Sequence, residues 1–209
     1  MAEKLDLRKQ FKHLYAPSAK QVSLVDVPGL QFAMIGGTIQ PGEGPETSPE
    51  FQEALVALYG ISYTLKFISK LSKEHPLDYG VMALEGLWWT ETGECDFSRD
   101  VPWQYTLMIM QPEHITPALF EEALSQLKKK RDSAALPRLR LERFWEGLCV
   151  QVMHIGPYAD EPATIARMRA FAQENGYRFR GKHHEIYLGD PRRASPEKMK
   201  TVLRHPITA

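Results

Sequence analysis

VPGLQFAMIGGT (27–38) and LCVQVMHIGPY (148–158) are two apolar, β-branched runs of the same character, closing on Gly36-Gly37 and on Gly156-Pro157. Each is followed by a short polar loop and a proline-marked helix start, Ser48-Pro49-Glu50 in the first half and Glu161-Pro162 in the second. Proline suits the first helical turn, where its missing N–H would have no partner anyway. Phe51, Leu55, Leu58, Ile61, Leu65 and Ile68, spaced by threes and fours, predict the first helix. Ile165, Met168, Phe171 and Ala172 predict a shorter second one that stops at Asn175-Gly176. Two more extended runs follow each helix. They are YGVMALEGLWW (79–89) and WQYTLMIM (103–110), then HHEIYLG (183–189) and MKTVLRHPI (199–207).

Each half therefore reads β-α-β-β, repeat one about 25–112 and repeat two about 140–209. Between them ITPALFEEALSQLKKKRD (115–132) is an amphipathic linking helix with Thr116 as N-cap and Pro117 behind it. Residues 1–24 form an N-terminal extension with a short helix and an extended lead-in. The predicted fold class is α+β. Tandem β-α-β-β repeats with pseudo-two-fold symmetry would build an antiparallel sheet with helices on one side, and a concave site would lie on the other side or at the seam.

The chain has 209 residues, with Lys+Arg and Asp+Glu both at 26 and a formal net charge of zero. That balance argues against nucleic acid, whose phosphates call for a basic face, and against a polybasic membrane surface. No apolar run approaches a membrane span, and MAEKLDLRKQFKHLYAPSAK has no signal-peptide core. Cys95 and Cys149 read as reduced thiols. The expectation is an ordered cytoplasmic protein.

Strand side chains alternate between faces. In 79–89 and 183–189 the more uniformly apolar sets are assigned to the helices, which leaves Glu85 and Glu185 on the opposite face with Trp89 and Tyr187. A mid-strand carboxylate must be partnered, protonated or in a wet cavity. Superposing the repeats on these two glutamates makes them symmetry mates facing one cavity; plain solvent on an uncovered sheet is the competing reading. Trp88-Trp89 must put one ring on each face, Trp88 assigned to the core and Trp89 to the cleft, an order that a bulge or register error would reverse. Trp103 and Tyr105 are further lining candidates, and Tyr158 is either a rim residue or a turn tyrosine.

Other patterns carry less. His183 and His184 are adjacent strand residues on opposite faces, so HHE does not make a metal site. Cys149 has no activating histidine, Gly36-Gly37 and GEG (42–44) lack phosphate-loop spacing, and KKKR (128–131) is a solvated helix end. No metal or cofactor is called for.

LEGLWW (84–89), GLCVQVMHIGPYADEPATI (147–165) and HHEIYLGDPRRASPEKMKTVLRHP (183–206), on a duplicated β-α-β-β plan, resemble the free-standing GyrI-like small-molecule-binding proteins, an SHS2-type duplication. The resemblance runs from about residue 22 onward. It implies a cleft for bulky, flat, often cationic compounds, with the family's central E-x-Y glutamate at Glu185 and Tyr187 as its partner. The chain has no helix-turn-helix segment, so the transcription-regulator role of some relatives does not carry over. The branch with LEGLWW includes enzymes that hydrolyse cyclopropanoid DNA-alkylating antibiotics of the yatakemycin and duocarmycin type.

On that resemblance Glu185 is the base and Tyr187 its hydrogen-bonding partner, with Glu85, Trp89, Trp103, Tyr105, Tyr158 and His183 as substrate-binding residues. Water addition to a strained cyclopropane conjugated to a carbonyl needs a base for the water and a donor for the growing oxygen charge. Two rival functions stay open. One is a non-catalytic binder that sequesters hydrophobic or cationic drugs, and the other a partner-binding protein shielding a target such as DNA gyrase.

Overall fold

A computed structural model describes residues 3–91, 100–189 and 194–209. Cys95, most of the loop expected between the third and fourth strands and part of the loop after 189 lie outside the described residues. In chain order the elements are β1 (Glu3–Leu5), α1 (Leu7–Gln10), α2 (Lys12–Tyr15), β2 (Ser23–Val27), β3 (Leu30–Ile39), α3 (Pro49–Lys70), β4 (Leu77–Tyr79) and β5 (Leu84–Trp89). They continue with β6 (Trp103–Met110), α4 (Pro117–Lys130), β7 (Arg140–Phe144), β8 (Gly147–Ile155), α5 (Glu161–Glu174), β9 (Arg178–Phe179), β10 (His183–Tyr187) and β11 (Lys200–Thr208). The fold is mixed α+β, built on antiparallel pairing with helices packed against the strands.

The chain forms two compact units, which cut across the sequence repeats. The first holds residues up to 10, then 30–82 and the described part of 97–144. Its β3 pairs antiparallel with β6 from Phe32↔Met110 to Ile39↔Trp103, and with β7 from Leu30↔Phe144 to Met34↔Arg140. α3 packs on β3 and β6 and against α4. It starts at Pro49 behind Ser48, and Phe51, Leu58, Ile61 and Leu65 are buried while Leu55 and Ile68 are only half-buried. Each such aliphatic side chain contributes about 1.5–3 kcal/mol by leaving water. Thr116 accepts a cap bond from the Leu119 amide at 3.2 Å, and α4 follows.

The run 79–89 is not one strand. Its first residue, Tyr79, ends β4, which pairs with β1 in parallel, and extended pairing resumes at Leu84 as β5. β7, β2 and the short β1 and β9 are strands that periodicity alone did not single out.

The second unit holds residues 11–29, 83–91 and the described residues from 145 onward. Its strands run in the order β2-β8-β11-β10-β5, each antiparallel to its neighbour, and β9 pairs with the end of β11. α5 lies over β8 and β9. Among the described residues no helix is long and apolar enough to cross a membrane.

Candidate functional site

The register of β5 against β10 decides what this sheet displays. Ile186 sits opposite Glu85, Glu185 opposite Gly86, and His184 opposite Leu87. Directly opposed residues share a face. Glu85 therefore lies on the face of His184 and Ile186, and Glu185 on the other with His183, Tyr187 and Trp88. The expected shared cavity for the two glutamates is overturned. Superposing the repeats on Glu85 and Glu185 was one residue out of register, and a one-residue slip moves every side chain to the other face.

The Glu185 face is the one that α5 covers, which corrects the assignment of Glu185 and Tyr187 to the side away from helices. Thr201 pairs with Tyr187 and with His154. His154 Nδ1 lies 2.9 Å from the Thr164 hydroxyl of α5, and its Nε2 donates to the Pro157 carbonyl at 3.2 Å. These two bonds fix the entry of α5 over the sheet and bring its first residue, Glu161, near Glu185.

A buried polar cluster results. The Trp88 indole N–H donates to the Tyr187 hydroxyl at 2.9 Å, and the Glu185 carboxyl lies beside that phenol. Glu161 adds a second buried carboxyl next to Glu185. The Tyr158 ring stands edge-on to Tyr187 at 5.9 Å and is exposed. His183 Nε2 is 3.4 Å from a Glu185 oxygen. Gly86 makes room for this cluster: a Cβ there would stand 2.7 Å from the Trp88 Nε1 and 3.1 Å from the Tyr187 hydroxyl. Burial, then the charge of Glu185, holds the Tyr187 phenol well above its ordinary pKa. Burial and Glu185 likewise push the Glu161 carboxyl up, against the lowering effect of Thr201.

On the opposite face Glu85 belongs to a closed network. It accepts from the Tyr15 hydroxyl at 2.5 Å, and its other oxygen is 3.0 Å from His184 Nε2. His184 Nδ1 reaches Glu146 at 3.0 Å, and Arg204 Nη1 lies 3.5 Å from the same carboxylate. Arg204 also donates to the Leu14 carbonyl at 2.7 Å and to Gln151 at 3.2 Å, while Gln151 donates to the His13 carbonyl at 2.9 Å. Carboxylates on both ring nitrogens make both of them donors, so His184 is an imidazolium. Two cations then balance two anions in a region sealed from water. Burial pulls the His184 pKa down, but Glu146 and Glu85 override it and raise it to about 9. Burial alone would raise Glu146, but His184 and Arg204 hold it well below the usual carboxylate range.

The remaining expected residues fall in different places. Trp89 is half-buried on the Glu85 face, with the Lys182 ammonium 3.4 Å from its ring centre, so Trp88 and not Trp89 is the indole beside Tyr187. Trp103 and Tyr105 are on β6 of the first unit, Trp103 half-buried. Tyr105 is buried edge-on against Phe51 at 5.0 Å, with its hydroxyl filling the space over Gly37. A groove of about 910 Å³ in that unit, beside Tyr63, Phe67 and Leu71, is lined by none of the expected site residues. Cys149 is buried, and burial followed by Glu146 pushes its thiol far up, away from any nucleophilic role. Among the described residues no three His, Cys, Asp or Glu side chains are grouped to hold a metal ion.

Glu161 was not singled out as a neighbour of Glu185 because it reads so well as a helix start. Glu146, His184 and Arg204 were missed as a set, although charged residues inside apolar strands were a visible signal.

A model of the GyrI-like small molecule binding domain matches residues 20–207. The chain belongs to the GyrI-like family. An uncharacterized conserved protein from Listeria innocua is 39% identical with a TM-score of 0.87, the match covering 98% of this chain and 100% of that one. A structure of a hydrolase from Listeria innocua is 38% identical, with a TM-score of 0.83, covering 98% of this GyrI-like chain and 100% of the hydrolase. A further hydrolase structure from that organism, also 38% identical, has a TM-score of 0.85 and covers 99% and 100%. No curated protein matches the chain.

Proposed function

We propose that this GyrI-like protein is a cytoplasmic hydrolase that disarms cyclopropanoid DNA-alkylating toxins by adding water across the strained ring. The observation that carries the reading is the Trp88–Tyr187 hydrogen bond on the strand face that also bears Glu185. Glu185 takes a proton from the attacking water. The exposed Tyr158 ring, edge-on to Tyr187, supplies apolar surface for a flat ligand. Support also comes from the hydrolases of Listeria innocua that share 38% of their residues with this chain over almost its whole length. Strain relief supplies much of the driving force, so one positioned base is a sufficient minimum.

The test is incubation of the protein with a cyclopropanoid antibiotic, followed by mass spectrometry for the adduct of one water. Accumulation far above the protein-free control is the expected result. Tight binding with no adduct would reject hydrolysis and make the protein a sequestering binder of flat or cationic drugs.

A further inference from the structure

We propose that Glu161 is a second catalytic residue, which shares one proton with Glu185 and delivers it to the substrate oxygen. The inference rests on the hydrolase reading above and assigns that site its acid.

Glu161 is only 3% exposed, and it opens α5 directly over the strand that carries Glu185. Its carboxyl is buried beside that of Glu185. Two carboxylate charges side by side in a buried site repel one another, so one of the pair is held as the carboxylic acid. Among the described residues Glu161 Oε1 is buried and has no hydrogen-bond partner. One position of the pair is thereby left for a ligand atom. Burial and the neighbouring Glu185 hold the single proton of the Tyr187 phenol in place. A proton for the substrate oxygen has to come from another group, and the pair holds one.

The step balances. The water oxygen forms a bond to the cyclopropane carbon as Glu185 takes a proton from that water. The ring C–C bond breaks, its electron pair moves through the conjugated system to the carbonyl oxygen, and Glu161 gives that oxygen its proton. Glu185 is then the protonated member, and proton transfer between the two neighbouring carboxyls restores the starting state. The pair finishes with the proton count it began with, and no outside acid, oxidant or reductant is consumed.

Other titratable and charged groups face this pair or pack against it. They are Tyr187 and His183 on β10, His205 on β11, His154 on β8, Tyr158 before α5, and Arg169 on α5. A pH profile alone would therefore be ambiguous, and a direct readout of the proton is needed.

The experiment compares wild type, Glu161→Gln and Glu161→Asp in turnover of a cyclopropanoid antibiotic across pH, and records infrared difference spectra at neutral pH. Expected are a protonated-carboxyl band in the wild type that Glu161→Gln lacks, and a turnover loss of roughly 10²–10⁴-fold in that variant. The high-pH fall in wild-type rate should vanish with it, and Glu161→Asp should recover part of the rate. Wild-type turnover and an unchanged pH profile in Glu161→Gln would overturn the role of Glu161 and leave the hydrolase reading standing. A wild type that keeps the infrared band but forms no water adduct would overturn the hydrolase reading, and with it the delivery of that proton to a substrate.

Discussion

Trp88 and Tyr187 meet across neighbouring strands directly over Gly86, indole N–H to phenol oxygen at 2.9 Å. The contact exists because residue 86 has no side chain. A methyl group there would sit 2.7 Å from the indole nitrogen, closer than real Cβ atoms approach. Replacing a strand glycine by alanine ordinarily gains about 0.5–1 kcal/mol of stability, since glycine loses more freedom on folding. Gly86→Ala should do the reverse and destabilise by about 1–3 kcal/mol as the ring is displaced. Gly80→Ala is the control, because nothing lies within 4 Å of a Cβ at that position. Denaturant melts of both variants check the contrast. A stabilised Gly86→Ala would show that the Trp88–Tyr187 contact does not need the glycine.

The two strand glutamates should separate by the kind of damage they cause. Glu185→Gln keeps size but cannot accept a proton from water, and turnover should fall roughly 10²–10⁴-fold with little change in melting temperature. Glu85→Gln removes one of two anions around His184 in a sealed site, and should cost about 3–5 kcal/mol of stability. Turnover per folded molecule should stay near wild type in that variant. Equal turnover losses in the two would contradict their placement on opposite faces.

Much of this was legible in the chain. The helix starts marked by Pro49, Pro117 and Glu161-Pro162, the stripe along α3 and the strand character of 84–89 and 183–187 follow from local periodicity and caps. The faces were not legible, because a face depends on the register between two strands remote in sequence. Glu85 and Glu185 look equivalent within their own runs; only the pairing of Ile186 with Glu85 separates them. The polar partners were hidden for the same reason. Tyr15, Glu146 and Arg204 come from three distant segments, and nothing local says that they converge on His184. The break between β4 and β5 was missed because 79–83 is as apolar as the strands on either side of it.

The His184 network predicts a pH dependence of stability with a definite sign. Its pKa is raised to about 9 in the folded protein, from an ordinary value of 6.5. The folded state thus binds more protons than the unfolded one between these values. The stabilisation is complete below the unfolded value and is lost as pH rises through the folded one. His184→Gln should therefore be less stable than wild type by a few kcal/mol near pH ~6, with the gap closing towards pH ~9.5. Urea unfolding at a series of pH values measures it. A gap that widens with pH would mean that His184 is neutral in the folded protein.

Glu161 predicts a stability effect of the opposite kind. Its carboxyl is also raised on folding, above an ordinary value of 4.5, but by burial and by a like charge. Below the unfolded value it is protonated in both states and contributes no pH-linked term. As pH rises through the range between the two values the unfolded chain releases this proton while the folded one holds it, so stability falls. Glutamine has the same shape and no proton to lose. Glu161→Gln should match wild type near pH ~4 and exceed it progressively towards pH ~8, by up to a few kcal/mol. A variant that is more stable yet poorer in turnover is the signature of a group kept at a cost to the fold for the sake of its chemistry. Thermal melts of the two proteins at matched pH decide it. A stability difference that stays flat with pH would show that Glu161 enters the folded state without its proton, and it could not then be the acid of the pair.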